Sequence, residues 1–404
     1  MKNLVFYRYF SNHKREVEFE DFNVDSKYFA ERELFSLRKN YFFTTLNDYN
    51  IVTSESDINQ LNEFTLLVGF DPSFKEMFEL IDREDFNQII NQHNSKIKKI
   101  VFWEMDTGWT NYSYKQYQEL AIPFKQWFKD KGIEIVIFTN AMSFKYDEDV
   151  KYWPSHNSMV IERLVRELES AEYYDMNFER SKYFYATSNS LNVDRLHFYK
   201  YIDDNGWWDK NNIALFSTFR NSEHDGGFPY SYVREIRGNC GLNDIDDSFT
   251  FYPKPFKDEN FQTMNYSVLS NVAKLRECYF EMVFETIYEA NENLIIQTSE
   301  KTWKPLTQKI PFITFSYPNV LKEFKKLGFK TFDFIFDESY DDVQNTHERL
   351  YKVLEQVGKV CKMPLDELKE YEDEIIKVTD YNFNNLKNVF SLWRNRLRDS
   401  VYYE

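Results

Sequence analysis

The stretch Cys278-Tyr-Phe-Glu-Met-Val-Phe-Glu285, followed after an acidic loop by Thr298-Ser-Glu-Lys-Thr-Trp-Lys304, decides the fold of this chain. Tyr279, Met282, Val283 and Phe284 make a short apolar run, the pattern of a strand buried on both faces. Such a strand carries Glu285 to its C-terminal end. Ser299 then stands where a helix N-cap is expected, its hydroxyl placed to accept from the first turn. Strand, loop and helix start in that order make half of a βαβ unit, and backbone N–H groups beside Lys301 at a helix start favour an anion.

Working outward, the same style recurs in both halves of the chain. Phe64-Thr-Leu-Leu-Val-Gly-Phe70, Lys99-Ile-Val-Phe-Trp103 and Ile133-Glu-Ile-Val-Ile-Phe138 are apolar, β-branched runs, separated by helical stretches such as 113–131. Tyr183-Phe-Tyr-Ala-Thr187, Ile213-Ala-Leu-Phe-Ser217 and Pro311-Phe-Ile-Thr-Phe315 repeat the pattern around the opening stretch. Apolar runs that bracket helices imply parallel sheets with ligands beyond the strands' carboxyl ends. The expected fold is α/β, two Rossmann-like domains facing a cleft, with C-terminal helices packing back. The boundaries that follow are 1–175 for an N-terminal acceptor domain, 181–340 for a nucleotide-binding domain with an irregular Gly-, Pro- and Asp-rich insertion over 219–272, and 341–404 for the C-terminal helices.

Composition excludes several classes. At 404 residues there is chain for two domains, and 42% hydrophobic content rules out a disordered one. The 39 Phe and 29 Tyr set against 10 Gly, with abundant Asn, Lys and Ile, match the codon bias of an AT-rich genome, so most rings are expected to fill cores. A net charge of −16 repels polyanions and anionic membranes on average, which leaves room only for a local basic track such as Lys96, Lys98 and Lys99. Cys240, Cys278 and Cys361 are widely spaced and lie in no CxxC or Cys/His pattern, so neither a disulfide framework nor a zinc site is expected. With no long apolar N-terminal region and no run of membrane-spanning length, a cytoplasmic protein is expected, in the host cytoplasm if the source is a virus or phage.

Phe280-Glu-Met-Val-Phe-Glu-Thr286, then Thr298-Ser-Glu-Lys-Thr-Trp-Lys-Pro-Leu306 and Ile310-Pro-Phe-Ile resemble the donor site of the α-1,3-fucosyltransferase family, where a Phe-Glu-Asn turn precedes a Thr-Glu-Lys helix start and an apolar strand. Upstream, Tyr185-Ala-Thr-Ser-Asn189 and Arg195 with Phe198-Tyr-Lys-Tyr-Ile resemble its strand ending in Ser-Asn and the arginine of the next helix. Val101-Phe-Trp-Glu-Met-Asp106 resembles its N-terminal strand with a catalytic glutamate in the following loop. The motifs span about half of the chain in the family's order. Thr286 replaces the family's asparagine, the loop 287–297 is longer, Phe315-Ser316 replaces an aromatic-glycine pair, and the insertion has no counterpart. The resemblance implies a GT-B-type, metal-independent nucleotide-sugar transferase.

Chemistry assigns the roles that this implies. Arg195, as a planar fork, and Lys301, as a point charge, would stabilise the departing diphosphate together with the helix-start N–H groups. Glu300 would accept from a ribose hydroxyl, Glu285 would hold a sugar hydroxyl or orient Lys301, and Asn189 would hydrogen-bond near the phosphates. Glu104 or Asp106, after an apolar strand, would be the general base. Several have a structural alternative: Glu300 and Lys301 in a capping arrangement, Arg195 as a solvated helix residue paired with Asp194 or Tyr199, Asn189 as a turn former.

Other features weigh less. Asp244-Ile-Asp246 has the Asp-X-Asp form of a metal-binding pair but sits in the irregular insertion, and the six histidines lack ligand spacing, so no metal and no resident cofactor are expected. The donor is expected to be a GDP- or UDP-sugar and the acceptor a glycan. Two alternatives stand beside this, a glycosyltransferase acting on hydroxymethylated bases in viral DNA and a non-catalytic nucleotide- or glycan-binding module.

Overall fold

The computed structural model describes residues 2–8, 49–52, 55–70, 74–104, 114–139, 147, 150–152, 179–188, 193–215, 228–229, 250–251, 272–285, 288, 296 and 298–401. The chain divides into two compact units, one of Met1–Glu162, Asn291–Gln297 and Lys387–Glu404, the other of Arg163–Ala290 and Thr298–Leu386.

The first unit holds a six-stranded sheet of β1 (Lys2–Arg8), β2 (Tyr49–Val52), β3 (Phe64–Phe70), β4 (Ile97–Glu104), β5 (Glu134–Thr139) and β6 (Val150–Tyr152), in the order β2-β1-β3-β4-β5-β6. Every pairing is parallel. The apolar runs at 64–70, 99–103 and 133–138 fall on β3, β4 and β5 as their patterns imply. Helices α1 (Glu55–Gln60), α2 (Phe74–Glu79), α3 (Glu84–His93) and α4 (Tyr114–Asp130) accompany them. Phe124 of α4 is the hub of an aromatic cluster, 5.1 Å from Phe102 of β4, 5.1 Å from Phe78 of α2 and 5.0 Å from Phe128. The phenylalanine excess of the sequence is spent here on packing, in the edge-to-face and tilted contacts that aromatic quadrupoles favour.

The second unit carries a four-stranded, all-parallel sheet of β7 (Lys182–Ser188), β8 (Asn212–Leu215), β11 (Cys278–Phe284) and β12 (Phe312–Phe315), ordered β12-β11-β7-β8. The insertion contributes a short antiparallel pair, β9 (Phe228–Pro229) with β10 (Thr250–Phe251). Helices α5 (Val193–Asp204), α6 (Val272–Arg276), α7 (Glu300–Thr307), α8 (Val320–Lys326), α9 (Thr346–Lys362), α10 (Leu365–Lys369) and α11 (Glu372–Val401) complete the chain.

Residue alternation along β11 separates the two faces of this sheet. Phe184, Phe280 and Phe284 share one face, where Phe198 of α5 packs 5.7 Å from Phe184 and 5.0 Å from Phe284. Tyr185, Glu281 and Glu285 share the other, beneath α7. On this side Trp303 is fully buried against Phe324 and Phe329, so it packs its helix on the core.

The C-terminal region is helical, as expected, and after α9 it holds two helices, α10 and α11, separated by a break at Glu370–Tyr371 that no glycine or proline announces. Within the second unit α11 is anchored by Glu372 on the buried Arg180 at 2.9 Å and by Asn382, which exchanges hydrogen bonds with the backbone of Lys330 at 2.8 Å. Close helix approach explains Gly358 of α9, where a Cβ would overlap the Tyr201 hydroxyl of α5. Among the described residues no helix is long and apolar enough to cross a membrane.

Candidate functional site

In the second sheet the chain runs outward from β7 to β8 on one side and from β11 to β12 on the other. The order therefore reverses between β7 and β11, the place where helices leave opposite faces and open a crevice beyond the carboxyl ends of the strands. Phe198 of α5 and the residues of α7 do pack on opposite faces. Thr187, Ser188, Phe284 and Glu285 form the floor of that end of the sheet.

Glu285 follows β11 directly and is buried, with 1% of its surface exposed. Its N–H donates to the Phe315 carbonyl at 3.0 Å, extending the β11–β12 ladder. Its carboxylate reaches across the loop to the start of α7, where both oxygens accept from Ser299 N at 3.0 Å and Oε1 also accepts from Thr302 N at 3.2 Å and from the Thr302 hydroxyl. Ser299 is the N-cap, as its position implied, and its Oγ accepts from Lys301 N at 3.3 Å. Trp303 Nε1 donates to Thr298 Oγ1 at 2.9 Å, pinning the residue before the cap. A carboxylate at this end also suits the helix dipole.

This corrects one expectation. The N–H groups at the start of α7 were expected to help bind the diphosphate, but those of Ser299, Lys301 and Thr302 are taken by the protein's own Glu285 and Ser299. A buried helix start needs acceptors, and a strand-end carboxylate supplies them. Glu285 thus holds the backbone on both sides of Lys301, at Ser299 and at Thr302.

Lys301, half-buried in the first turn of α7, has its ammonium 3.3 Å from Ser299 Oγ. Arg195 is the third residue of α5 and is 3% exposed. These two cations thus occupy the first turns of the helices that follow β7 and β11, the neighbouring strands at the reversal. Glu300 opens α7 on the backbone. Asn189, directly after β7, lies outside the described residues.

No family model matches the chain, and no curated protein does. Among solved structures it is similar to the crystal structure of alpha1,3-fucosyltransferase with GDP-fucose, at 8% identity over 95% of each chain with a TM-score of 0.39.

Two side chains beneath this site were absent from the reading of the sequence. Glu281 lies on the same face of β11 as Glu285, is 3% exposed, and pairs with Lys304 of α7 at 2.9 Å. Burial pushes its carboxyl up from the ordinary carboxylate range, against the pull of the Lys304 charge. The signal was available, since strand alternation places residues 281 and 285 on one face. Arg349 of α9 is 1% exposed; its Nε donates to Ser316 O at 2.9 Å, Nη1 to Val343 O at 2.7 Å and Gln344 O at 3.1 Å, and Nη2 to Tyr288 O. A partner set made of carbonyls leaves no trace in sequence.

In the first unit Glu104 is the last residue of β4, paired in register with Phe70 of β3. The order of that sheet reverses between β1 and β3, so Glu104 is one strand from the reversal. Asp106, Asp244 and Asp246 lie outside the described residues. Among the described residues no group of three or more His, Cys, Asp and Glu side chains is placed to hold a metal ion. Cys278 and Cys361 are buried, and burial pushes both thiols up to about 12, which keeps them protonated and unreactive.

Proposed function

We propose that this chain is a glycosyltransferase that moves a sugar from a nucleotide-diphosphate donor, a GDP- or UDP-sugar, to an acceptor hydroxyl. The observation that supports it most is the placement of Arg195 and Lys301 in the helix starts flanking the strand-order reversal of a parallel sheet, with the start of α7 fixed by the buried Glu285. An anion there meets two cations whose supporting backbone is already positioned, and preorganised charge is what a departing diphosphate requires. The motif resemblance to fucosyltransferases adds the donor class. Fixed side-chain cations make the reaction metal-independent in this proposal, Asn189 and Glu300 contribute hydrogen bonds to phosphate and ribose, and the second unit takes the donor.

In the proposed reaction the acceptor oxygen bonds to the anomeric carbon as the bond from that carbon to the diphosphate oxygen breaks. The diphosphate leaves with the electron pair, the acceptor proton passes to a carboxylate, and the sugar inverts. Glu104 is proposed as that base, with Asp106 the second candidate, and the acceptor is proposed to be a glycan. The DNA alternative loses its basic track in part: Lys99 is 6% exposed and pairs with Glu134 at 2.9 Å, while the ammonium of Lys96 donates to Asn59 O at 2.9 Å.

The test is turnover of GDP- and UDP-sugars by the wild type and by Glu104→Gln. Loss of transfer at least a hundred-fold with unchanged nucleotide affinity is expected. Equal turnover in the variant sinks the assignment of the base, and nucleotide binding without any turnover in the wild type establishes the non-catalytic module instead.

A further inference from the structure

We propose that Arg349 is a positioning residue for the donor site, a clamp that fixes the exit of β11 and through it the start of α7. This rests on the function proposed above. The guanidinium draws four carbonyls from three segments: Ser316 at the end of β12, Tyr288 just beyond the exit of β11, and Val343 and Gln344 on the approach to α9. A planar fork of five N–H donors can span such a set, whereas an ammonium on a flexible stem cannot.

The clamp acts on the residues that matter for the site. Glu285 is held at its N–H by Phe315 O at 3.0 Å, and three residues later Tyr288 is held at its carbonyl by Arg349 while its ring lies 4.8 Å from that of Phe315. The guanidinium in turn sits 5.7 Å from the Phe315 ring, so arginine, strand end and exit segment form one packed group. Fixing the segment on both sides of the Glu285 side chain fixes where its carboxylate meets Ser299 and Thr302. Among the described residues no carboxylate forms an ion pair with Arg349. Burial pulls its pKa down to about 10, still well above neutral, so the cation persists near the strand ends where an anion is to bind.

Arg349→Lys keeps the charge and removes the fork. By hydrogen exchange on the full-length protein, the amides of Ser299 and Thr302 are expected to exchange at least ten-fold faster than in the wild type, with β4 and β5 amides unchanged. GDP or UDP, whichever binds the wild type, is expected to bind at least ten-fold more weakly. Should Arg349→Lys not fold by circular dichroism, Tyr288→Leu, which removes the half-buried ring and leaves every carbonyl, is read in the same way. Unchanged exchange at Ser299 and Thr302 in a folded variant overturns the clamp, and faster exchange with unchanged nucleotide affinity overturns its role at the site. Faster exchange in a protein whose wild type binds no nucleoside diphosphate removes the proposed function and leaves the clamp standing.

Discussion

The two sheets of this protein bury different things. Around the first, the described core is aromatic and aliphatic, with Phe78, Phe102 and Phe128 each packed on Phe124, and its buried cation, Lys99, pairs with a glutamate that is itself 60% exposed. Around the second, Glu281, Glu285, Lys304, Asp341 and Arg349 are all buried. Removing charge from water is costly, and a buried ion pair contributes little net stability. Such groups persist where they hold backbone in place. In the second unit Glu285 holds the start of α7, Asp341 that of α8, and Arg349 the exit of β11, so the backbone at the carboxyl end of its sheet is held by buried charge.

The contrast can be broken most sharply at the buried pair. Lys304→Met strands Glu281 in the core and is expected to cost about 3–5 kcal/mol in urea unfolding, with most of it recovered when Glu281→Leu is added. A double variant no more stable than the single one would show that the pair is not the source of the loss. Next is Glu285→Ala, which leaves the N–H groups of Ser299 and Thr302 without their acceptor and is expected to cost about 2–3 kcal/mol. A cost near zero would mean that α7 starts without this cap.

Asp341 supplies a pH signature. Its carboxylate accepts from Leu321 N at 3.1 Å and Lys322 N at 3.3 Å, yet burial raises its pKa from 3.8 to about 6. The folded state then binds more protons than the unfolded one between these values, so the contribution of this group to stability is largest below the unfolded pKa and is lost as pH rises through about 6. Asp341→Asn is expected to flatten that part of the pH dependence, seen as a stability difference from wild type that changes between pH 4 and 6.5. Parallel curves would refute the assignment. The smallest effect is expected in the first unit. Lys99→Met leaves Glu134 in water and should cost under about 1 kcal/mol, so a loss rivalling that of Lys304→Met would erase the contrast between the sheets.

The strands that the sequence made legible are those whose apolar runs are long enough to be buried on both faces. β3 coincides with its expected bounds, and β4, β5, β7, β11 and β12 differ by no more than two residues at either end. Three strands of the first sheet escaped. β1 has an apolar centre, Leu4-Val5-Phe6, but no neighbouring helix pattern to mark it as a βαβ strand, while β2 and β6 have four and three residues and too little pattern to stand out. At the site, Ser299 could be identified as a cap because capping is local, and strand alternation was enough to put Glu281 on the face of Glu285. Glu285 as the long-range acceptor for that helix start, Lys304 as the partner of Glu281 and the carbonyl set of Arg349 could not be read, because each depends on which segments the sheet brings together.

The central claim is that Arg195 and Lys301 bind the diphosphate of a nucleotide-sugar donor. Titration of the full-length protein with GDP and UDP tests it most directly, by calorimetry and by the rise in unfolding temperature that ligand binding to the folded state produces. One of the two nucleotides is expected to bind the wild type, to bind Lys301→Ala at least ten-fold more weakly, and to lose measurable affinity for a folded Arg195→Ala/Lys301→Ala double variant. Undiminished nucleotide affinity in that double variant would contradict the account.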